Sequence, residues 1–114
     1  YDTSKKIKQS PPVTSGWIRA IHRGQKKVHR GLDISCPILV MFSSQSVYGD
    51  DWTPEHQKGD AVLDVKDIEY GKRLGPHVTE VVIPEGLHDL ILSQKSAREK
   101  TYETIFEWLY SNKL

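Results

Sequence analysis

Two segments of the chain have the hydrophobic pattern of β-strands. Residues Cys36–Phe42 are apolar without alternation, which is typical of a strand buried on both faces of a parallel sheet. Pro37 is compatible with such a strand only near its beginning, because proline cannot donate a ladder hydrogen bond. Residues Val78–Ile83 form a second, mostly apolar segment that Pro84-Glu85-Gly86 closes. The pattern therefore predicts two strands in this part of the chain.

The segment before the first predicted strand has helical periodicity. Thr14 or Ser15 is suited to cap a helix that runs to about His29, and Gly31 follows as an end signal. One face of this helix carries the apolar residues Trp17, Ile18, Ile21 and Val28. Residues 1–13 are polar, basic and interrupted by two prolines, so we expect a linker or a poorly ordered arm before the helix.

Two further helices are predicted in the second half of the chain. One spans about Val65–Leu74, with Asp64 as its cap and Gly75-Pro76 as its end. The other spans about Ser96–Tyr110, after a short apolar turn at Leu90–Leu92. The side chains expected to be buried on this last helix are Tyr102, Ile105, Phe106, Trp108 and Leu109.

The order of these elements indicates the fold class. Strands that alternate with helices predict an α/β protein with a parallel sheet and helices on both faces. Two strands are few for such a sheet, and a strand buried on both faces needs neighbours at its sides. We therefore expect the chain to be the end of a larger sheet. Its bare strand edges predict self-association of the isolated chain.

Composition and charge exclude several classes of protein. The chain has 16 Lys+Arg against 15 Asp+Glu, a net charge of +1, which is far from the basic field of a nucleic-acid-binding protein. The single cysteine, Cys36, permits no intrachain disulfide and is expected to pack in the core. No apolar run reaches the roughly 18–20 residues of a membrane span, and no signal peptide is recognisable. We therefore expect a cytoplasmic protein.

An aspartate and a histidine follow the two predicted strands. Asp60 ends the long polar stretch after the first strand, and His88 lies shortly after the second. Because functional groups of parallel α/β sheets collect at the carboxyl ends of strands, we expect both side chains at the same edge of the sheet. A serine-hydrolase triad requires such an acid and base, and α/β-hydrolases carry Ser, Asp and His in that chain order. No Gly-x-Ser-x-Gly motif occurs in the sequence.

Four segments carry a more specific resemblance. The runs PILVMFSS, GDAVLDVKDI, VVIPEGLHDLILS and YETIFEWL resemble the C-terminal part of α/β-hydrolases of the serine aminopeptidase and lysophospholipase (monoacylglycerol-lipase-like) group. The resemblance covers about residues 34–114, and residues 16–20 resemble the end of the lid that precedes this part. It implies the end of a lid helix at 14–31 and the C-terminal part of an α/β-hydrolase core at 32–114.

The resemblance also implies roles for individual residues. Asp60 corresponds to the acid of the triad and His88 to the base, whereas Asp64 corresponds to a helix cap. The loop before Asp60 is longer than is usual in this group, so Asp64 and the pair Asp50/Asp51 stay open as alternative acids. Asp89 is expected to be a turn residue.

The function implied by the resemblance is hydrolysis of a carboxylic ester, such as a lysophospholipid or monoacylglycerol, or of a small amide. It implies no metal and no cofactor. Residues 1–114 alone are expected to be inactive, because the nucleophilic serine would lie upstream. Trp17, Ile18 and Ile21 either line an acyl-binding cleft or pack between the lid and the core.

Two other classes of function stay open. The first is a non-catalytic binding or interaction module on an α/β scaffold, because fold alone does not determine function. A pure binding module would have no reason to keep an aspartate and a histidine at this spacing. The second is a peripheral membrane protein that binds lipid through its basic first helix, and its lipid binding would disappear at high salt.

Overall fold

The computed structural model describes residues 12–113, so most of the linker expected at residues 1–13 lies outside the described residues. The helices α1, α2 and α3 and the strands β1 and β2 follow one another in the predicted order. Their bounds are α1 Ser15–Arg30, β1 Ile38–Ser43, α2 Val65–Ile68, β2 Val78–Ile83 and α3 Lys95–Ser111. Three 3₁₀ segments complete the fold, at Pro54–Gln57, Glu69–Arg73 and Leu90–Leu92.

The two strands form a parallel sheet with helices on both faces. The register runs from Ile38 opposite Val78 to Ser43 opposite Ile83. On one face, Gly71 of the 3₁₀ segment Glu69–Arg73 lies against the side chain of Val40. On the other face, Met41 lines a groove together with residues of α3. Since adjacent residues of a strand point to opposite faces, this arrangement confirms the predicted α/β class.

Side-chain caps begin α1 and α2 as the sequence predicts. The Thr14 hydroxyl accepts the Trp17 N–H at the start of α1, and the Asp64 carboxylate accepts the Lys66 N–H at the start of α2. The predicted helix Val65–Leu74 is wrong in type beyond Ile68, because the chain tightens there into a 3₁₀ segment. A Cβ at Gly71 would lie 3.0 Å from Val40, so this segment sits close against the sheet.

The buried face of α3 differs from the predicted one. Tyr102 and Phe106 are 45% and 65% exposed, and Trp108 is only half-buried. The buried residues of α3 are instead the smaller Ala97, Thr101 and Thr104, which share one face of the helix. Small side chains let the helix lie close to the strands, and the Thr101 hydroxyl is satisfied by donating to the Ala97 carbonyl.

Strand β1 is also less buried than its apolar sequence predicts. Residues 38–41 are half-buried, and only the last two residues of the strand are buried. The reason is that β1 has a single strand neighbour within residues 12–113. Cys36 is exposed, which contradicts the expectation that it packs in the core. It precedes the first strand residue, Ile38, and so lies outside the sheet.

Helix α1 touches the rest of the described chain mainly near its C-terminal end. There the His29 ring stacks on Tyr70 with a centroid distance of 4.1 Å, and the Arg73 guanidinium donates to the His29 carbonyl. The apolar residues Trp17 and Ile18, nearer the start of the helix, are more than half exposed. No helix between residues 12 and 113 combines the length and the apolar character needed to cross a membrane.

We expect the chain to self-associate in solution. Each strand of the sheet has one unpaired edge within residues 12–113, and Phe106 and Tyr110 expose apolar surface on α3. Such edges and patches pair with other chains because pairing removes them from water. Sedimentation velocity over a concentration series should show dimers or larger species. The Phe106→Asp variant should shift the distribution toward monomer, whereas Tyr48→Asp, in the long loop, should not. A monomer at every concentration would contradict this expectation.

Candidate functional site

Backbone pairing holds Asp60 beside the continuation of β1. The Asp60 N–H donates to the Gln45 carbonyl at 2.9 Å, and the Val47 N–H donates to the Asp60 carbonyl at 2.8 Å. The two segments approach so closely that a Cβ at Gly59 would lie 2.5 Å from the Val47 side chain. Glycine directly before the aspartate therefore permits this pairing, which places Asp60 next to the carboxyl end of β1.

A tight turn after β2 places His88. Glu85 has a positive φ of 55° in this turn, and the Gly86 N–H donates back to the Ile83 carbonyl at 3.2 Å. The next N–H, that of Leu87, donates to the hydroxyl of the buried Ser93 at 2.9 Å. The two residues directly before the histidine are thus held in place by hydrogen bonds.

The two side chains meet at the same edge of the sheet. Nδ1 of His88 lies 3.0 Å from Oδ2 of Asp60. The other carboxylate oxygen, Oδ1, accepts the N–H groups of Val62 at 2.8 Å and Leu63 at 2.9 Å. The side chain of Asp60 is 3% exposed and that of His88 is 47% exposed. The contact expected from the sequence is therefore confirmed, while the catalytic role of both residues stays a prediction.

The hydrogen bonds on Asp60 keep its carboxylate ionised. Burial acts to raise the pKa of Asp60, because a buried charge loses hydration. The hydrogen bonds from the Leu63 N–H, the His88 ring and the Val62 N–H outweigh burial, together with attraction to a charged His88. The net result is a pKa below the ordinary value of 3.8. Asp60 is consequently a buried anion that accepts three hydrogen bonds.

This lowered pKa predicts how stability depends on pH. Because folding favours the ionised form of Asp60, its contribution is complete above the ordinary pKa of 3.8 and is lost as the pH falls through the lower folded value. Urea unfolding between about pH 6 and about pH 2 should therefore show a loss of stability on the acid side. The loss should be smaller in Asp60→Asn, which cannot ionise. An equal loss in both chains would contradict the lowered pKa.

The ionised carboxylate determines the tautomer of His88. A carboxylate can only accept hydrogen bonds, so Nδ1 of His88 must carry the proton in their contact. In the neutral ring Nε2 is then left without a proton and can accept one. The half-exposed ring borders an open groove of about 420 Å³. The groove is lined by Met41, His88, Asp89, Leu90, Ile91, Thr101 and Ile105.

The other candidate acids either cap a helix or turn, or are exposed in the long loop. Asp64 caps α2 through its hydrogen bond from the Lys66 N–H at 3.0 Å, as expected for a helix cap. Asp50 and Asp51 are exposed in the loop between β1 and Asp60. Asp89 accepts the Ile91 N–H at the start of a 3₁₀ segment, which confirms it as a turn residue. Among the aspartates of residues 12–113, only Asp60 hydrogen-bonds His88.

Sequence reasoning missed the groups that hold this pair in place. They are the backbone N–H groups of Val62 and Leu63 and the hydroxyls of Ser46 and Ser93. Backbone donors leave no signal in side-chain identity. Ser46 contacts residues 17 and 19 positions away, so its neighbours along the chain do not reveal its role.

The geometry of this site is the main evidence on function, since no protein-family model, no curated protein and no solved structure gives a significant match to the chain. Within the described residues, no three or more His, Cys, Asp or Glu side chains are grouped so that they could hold a metal ion. The pair Asp60 and His88 is consequently the feature from which a function can be argued.

Proposed function

We propose that the chain supplies the acid and the base of a serine hydrolase acting on carboxylic esters. In this proposal Asp60 orients His88, and His88 takes the proton of a serine that lies outside residues 1–114. The observation that carries the proposal is the 3.0 Å contact between the buried Asp60 carboxylate and Nδ1 of the half-exposed His88. This is the contact through which a triad acid holds its imidazole and stabilises the imidazolium that forms.

The difference in exposure between the buried Asp60 and the half-exposed His88 supports a catalytic role for the pair. An ion pair adds little stability on the surface, where water and salt screen it, and little in the interior, where lost hydration offsets the attraction. Here the acid is buried and satisfied by two backbone N–H groups, while about half of the side chain of the base is exposed. A general base needs this access because it must reach the proton that it removes.

The apolar part of the groove beside His88 supports an acyl substrate. Met41, Leu90 and Ile91 line the groove next to the imidazole. An acyl chain lying along these side chains would keep its ester carbonyl near the base. Lysophospholipids and monoacylglycerols carry such chains, and they are the substrates that we propose.

The proposal also includes the finer fold assignment. Strands β1 and β2 would be the end of an α/β-hydrolase sheet, with the acid following one strand and the histidine the next. The unpaired edge of β1 and the exposed apolar residues of α1 would then be covered by other parts of that fold. The sequence contains no Gly-x-Ser-x-Gly motif, so the nucleophile elbow would belong to those parts.

A fluorophosphonate probe tests this function. The probe reacts with serines that a neighbouring base activates, so it should label the product of the complete reading frame that encodes the chain. In His88→Ala the labelling rate should fall by at least about 100-fold, because the base is lost. His77→Ala is the matched control, since His77 is exposed and its ring has no hydrogen-bond partner within residues 12–113.

Two results would count against the proposal. One is an absence of labelling in the complete protein, and the other is labelling that His88→Ala leaves unchanged. Residues 1–114 expressed alone should not be labelled. In either contrary case the Asp60–His88 pair would serve structure, and the chain would be better explained as a binding module.

A further inference from the structure

In the loop after Asp60, two backbone N–H groups must point at the same carboxylate oxygen. Oδ1 of Asp60 accepts hydrogen bonds from both Val62 and Leu63, at 2.8 and 2.9 Å. These donors belong to adjacent residues, so the backbone has to fold back tightly over the carboxylate. Val62 and Leu63 themselves are 67% and 48% exposed. Packing of their side chains therefore contributes little to keeping the loop in this conformation.

The hydroxyl of Ser46 forms two hydrogen bonds with the C-terminal end of this loop. It donates to the Leu63 carbonyl at 3.0 Å and accepts the Val65 N–H at 2.9 Å. Ser46 itself lies opposite Asp60, in the isolated bridge between the continuation of β1 and the loop. The Ser46 side chain thus binds the end of the loop at Leu63 and Val65, while its backbone lies opposite Asp60 at the beginning of the loop.

We propose that Ser46 is a positioning residue for the Asp60–His88 pair, acting through the loop that presents Leu63 to the carboxylate. Neither Asp60 nor His88 is among the hydrogen-bond partners of the Ser46 side chain. Its effect passes through Leu63, whose carbonyl it holds and whose N–H reaches Oδ1 of Asp60. The inference rests on the proposed function for its catalytic consequence, but not for its geometry.

Other hydroxyls near the site do not hold this loop. The Ser44 hydroxyl accepts the Glu85 N–H at 3.3 Å, which ties it to the turn after β2. The Ser93 hydroxyl accepts the Leu87 N–H, on the histidine side of the pair. Ser44 is the better matched control, since it lies two residues from Ser46 and also accepts a backbone N–H.

Removing the hydroxyl should loosen the pair in a way that NMR can measure. In the full chain with Ser46→Ala, the Leu63 N–H should exchange with solvent faster, and the pKa of Asp60 should rise toward its ordinary value. The Nδ1–H signal of His88 should broaden, because the carboxylate that holds it moves more freely. Ser46→Thr keeps a hydroxyl at a position of extended backbone. The exchange rate, the pKa and the His88 signal should therefore match those of the unaltered chain. Ser44→Ala should leave the Leu63 N–H exchange and the pKa of Asp60 unchanged, because the Ser44 hydroxyl holds the turn before His88 and not the loop after Asp60.

The outcomes separate this proposal from the proposed function. Faster Leu63 N–H exchange, a raised Asp60 pKa and a broadened His88 Nδ1–H signal in Ser46→Ala support the positioning role, whether or not the complete protein is a hydrolase. If the complete protein is a hydrolase, Ser46→Ala should also lower kcat by about 10- to 100-fold with KM little changed. Unchanged signals would overturn the positioning role. It would also be overturned by equal changes of the Leu63 exchange and the Asp60 pKa in Ser44→Ala, or by unfolding of Ser46→Ala, because the hydroxyl would then serve the fold as a whole.

Discussion

Asp60→Asn is expected to lower kcat of the proposed hydrolase by about 10⁴-fold with little change in KM. The reason lies in how the carboxylate is held. Oδ1 accepts N–H groups from Val62 and Leu63, so the amide oxygen of an asparagine would occupy that position. Its NH₂ group would then face Nδ1 of His88 and turn that nitrogen into an acceptor. The proton of the ring would move to Nε2, which could no longer take a proton from serine.

Steady-state kinetics on an ester substrate would measure this effect, with Asp64→Asn as the control. Asp64 caps α2, and asparagine caps a helix about as well as aspartate, so kcat of this variant should stay within about threefold of that of the unaltered protein. The same comparison for Asp51→Asn tests the exposed acid of the long loop. A large loss in either control, or near-normal turnover in Asp60→Asn, would mean that Asp60 is not the acid of the triad.

Ile83→Ala is expected to destabilise the chain by about 3 kcal/mol, as is usual when a buried isoleucine is truncated. Ile83 is 0% exposed and is the largest of the fully buried side chains. Its truncation leaves a cavity because the atoms that enclose the side chain relax only partially. The backbone of Ile83 also accepts N–H groups from Ser44 and Gly86, so this residue joins the ends of both strands. Urea unfolding followed by circular dichroism would measure the loss.

The neighbouring Val82 offers a matched control for this effect. Val82 lies on the same strand but is 50% exposed, so Val82→Ala should cost less than about 1 kcal/mol. Equal losses in the two variants would show that the strand contributes through its β propensity rather than through a packed core. A small loss in both would show that other residues carry the stability of the chain.

The sequence by itself determined which elements form and which chemistry they bring together. The apolar period and the capping residues Thr14 and Asp64 act within a few positions along the chain, so the local sequence places the elements, although it does not reveal the 3₁₀ segment after Ile68. The meeting of Asp60 with His88 also followed from the sequence. Both residues follow strands, and parallel strands bring their carboxyl ends to the same edge of a sheet.

Only the tertiary structure decided which faces are buried and how the acid is held. Of the large side chains expected to be buried on α3, Tyr102 and Phe106 are exposed, and the fully buried positions carry smaller residues such as Ala97. Strand β1 is half-buried because burial depends on neighbours in space, and its apolar sequence does not specify them. The donors to Asp60 and the clamp by Ser46 are hydrogen bonds to backbone groups. Such groups are identical in every residue except proline, so only the path of the chain decides which of them reach the carboxylate.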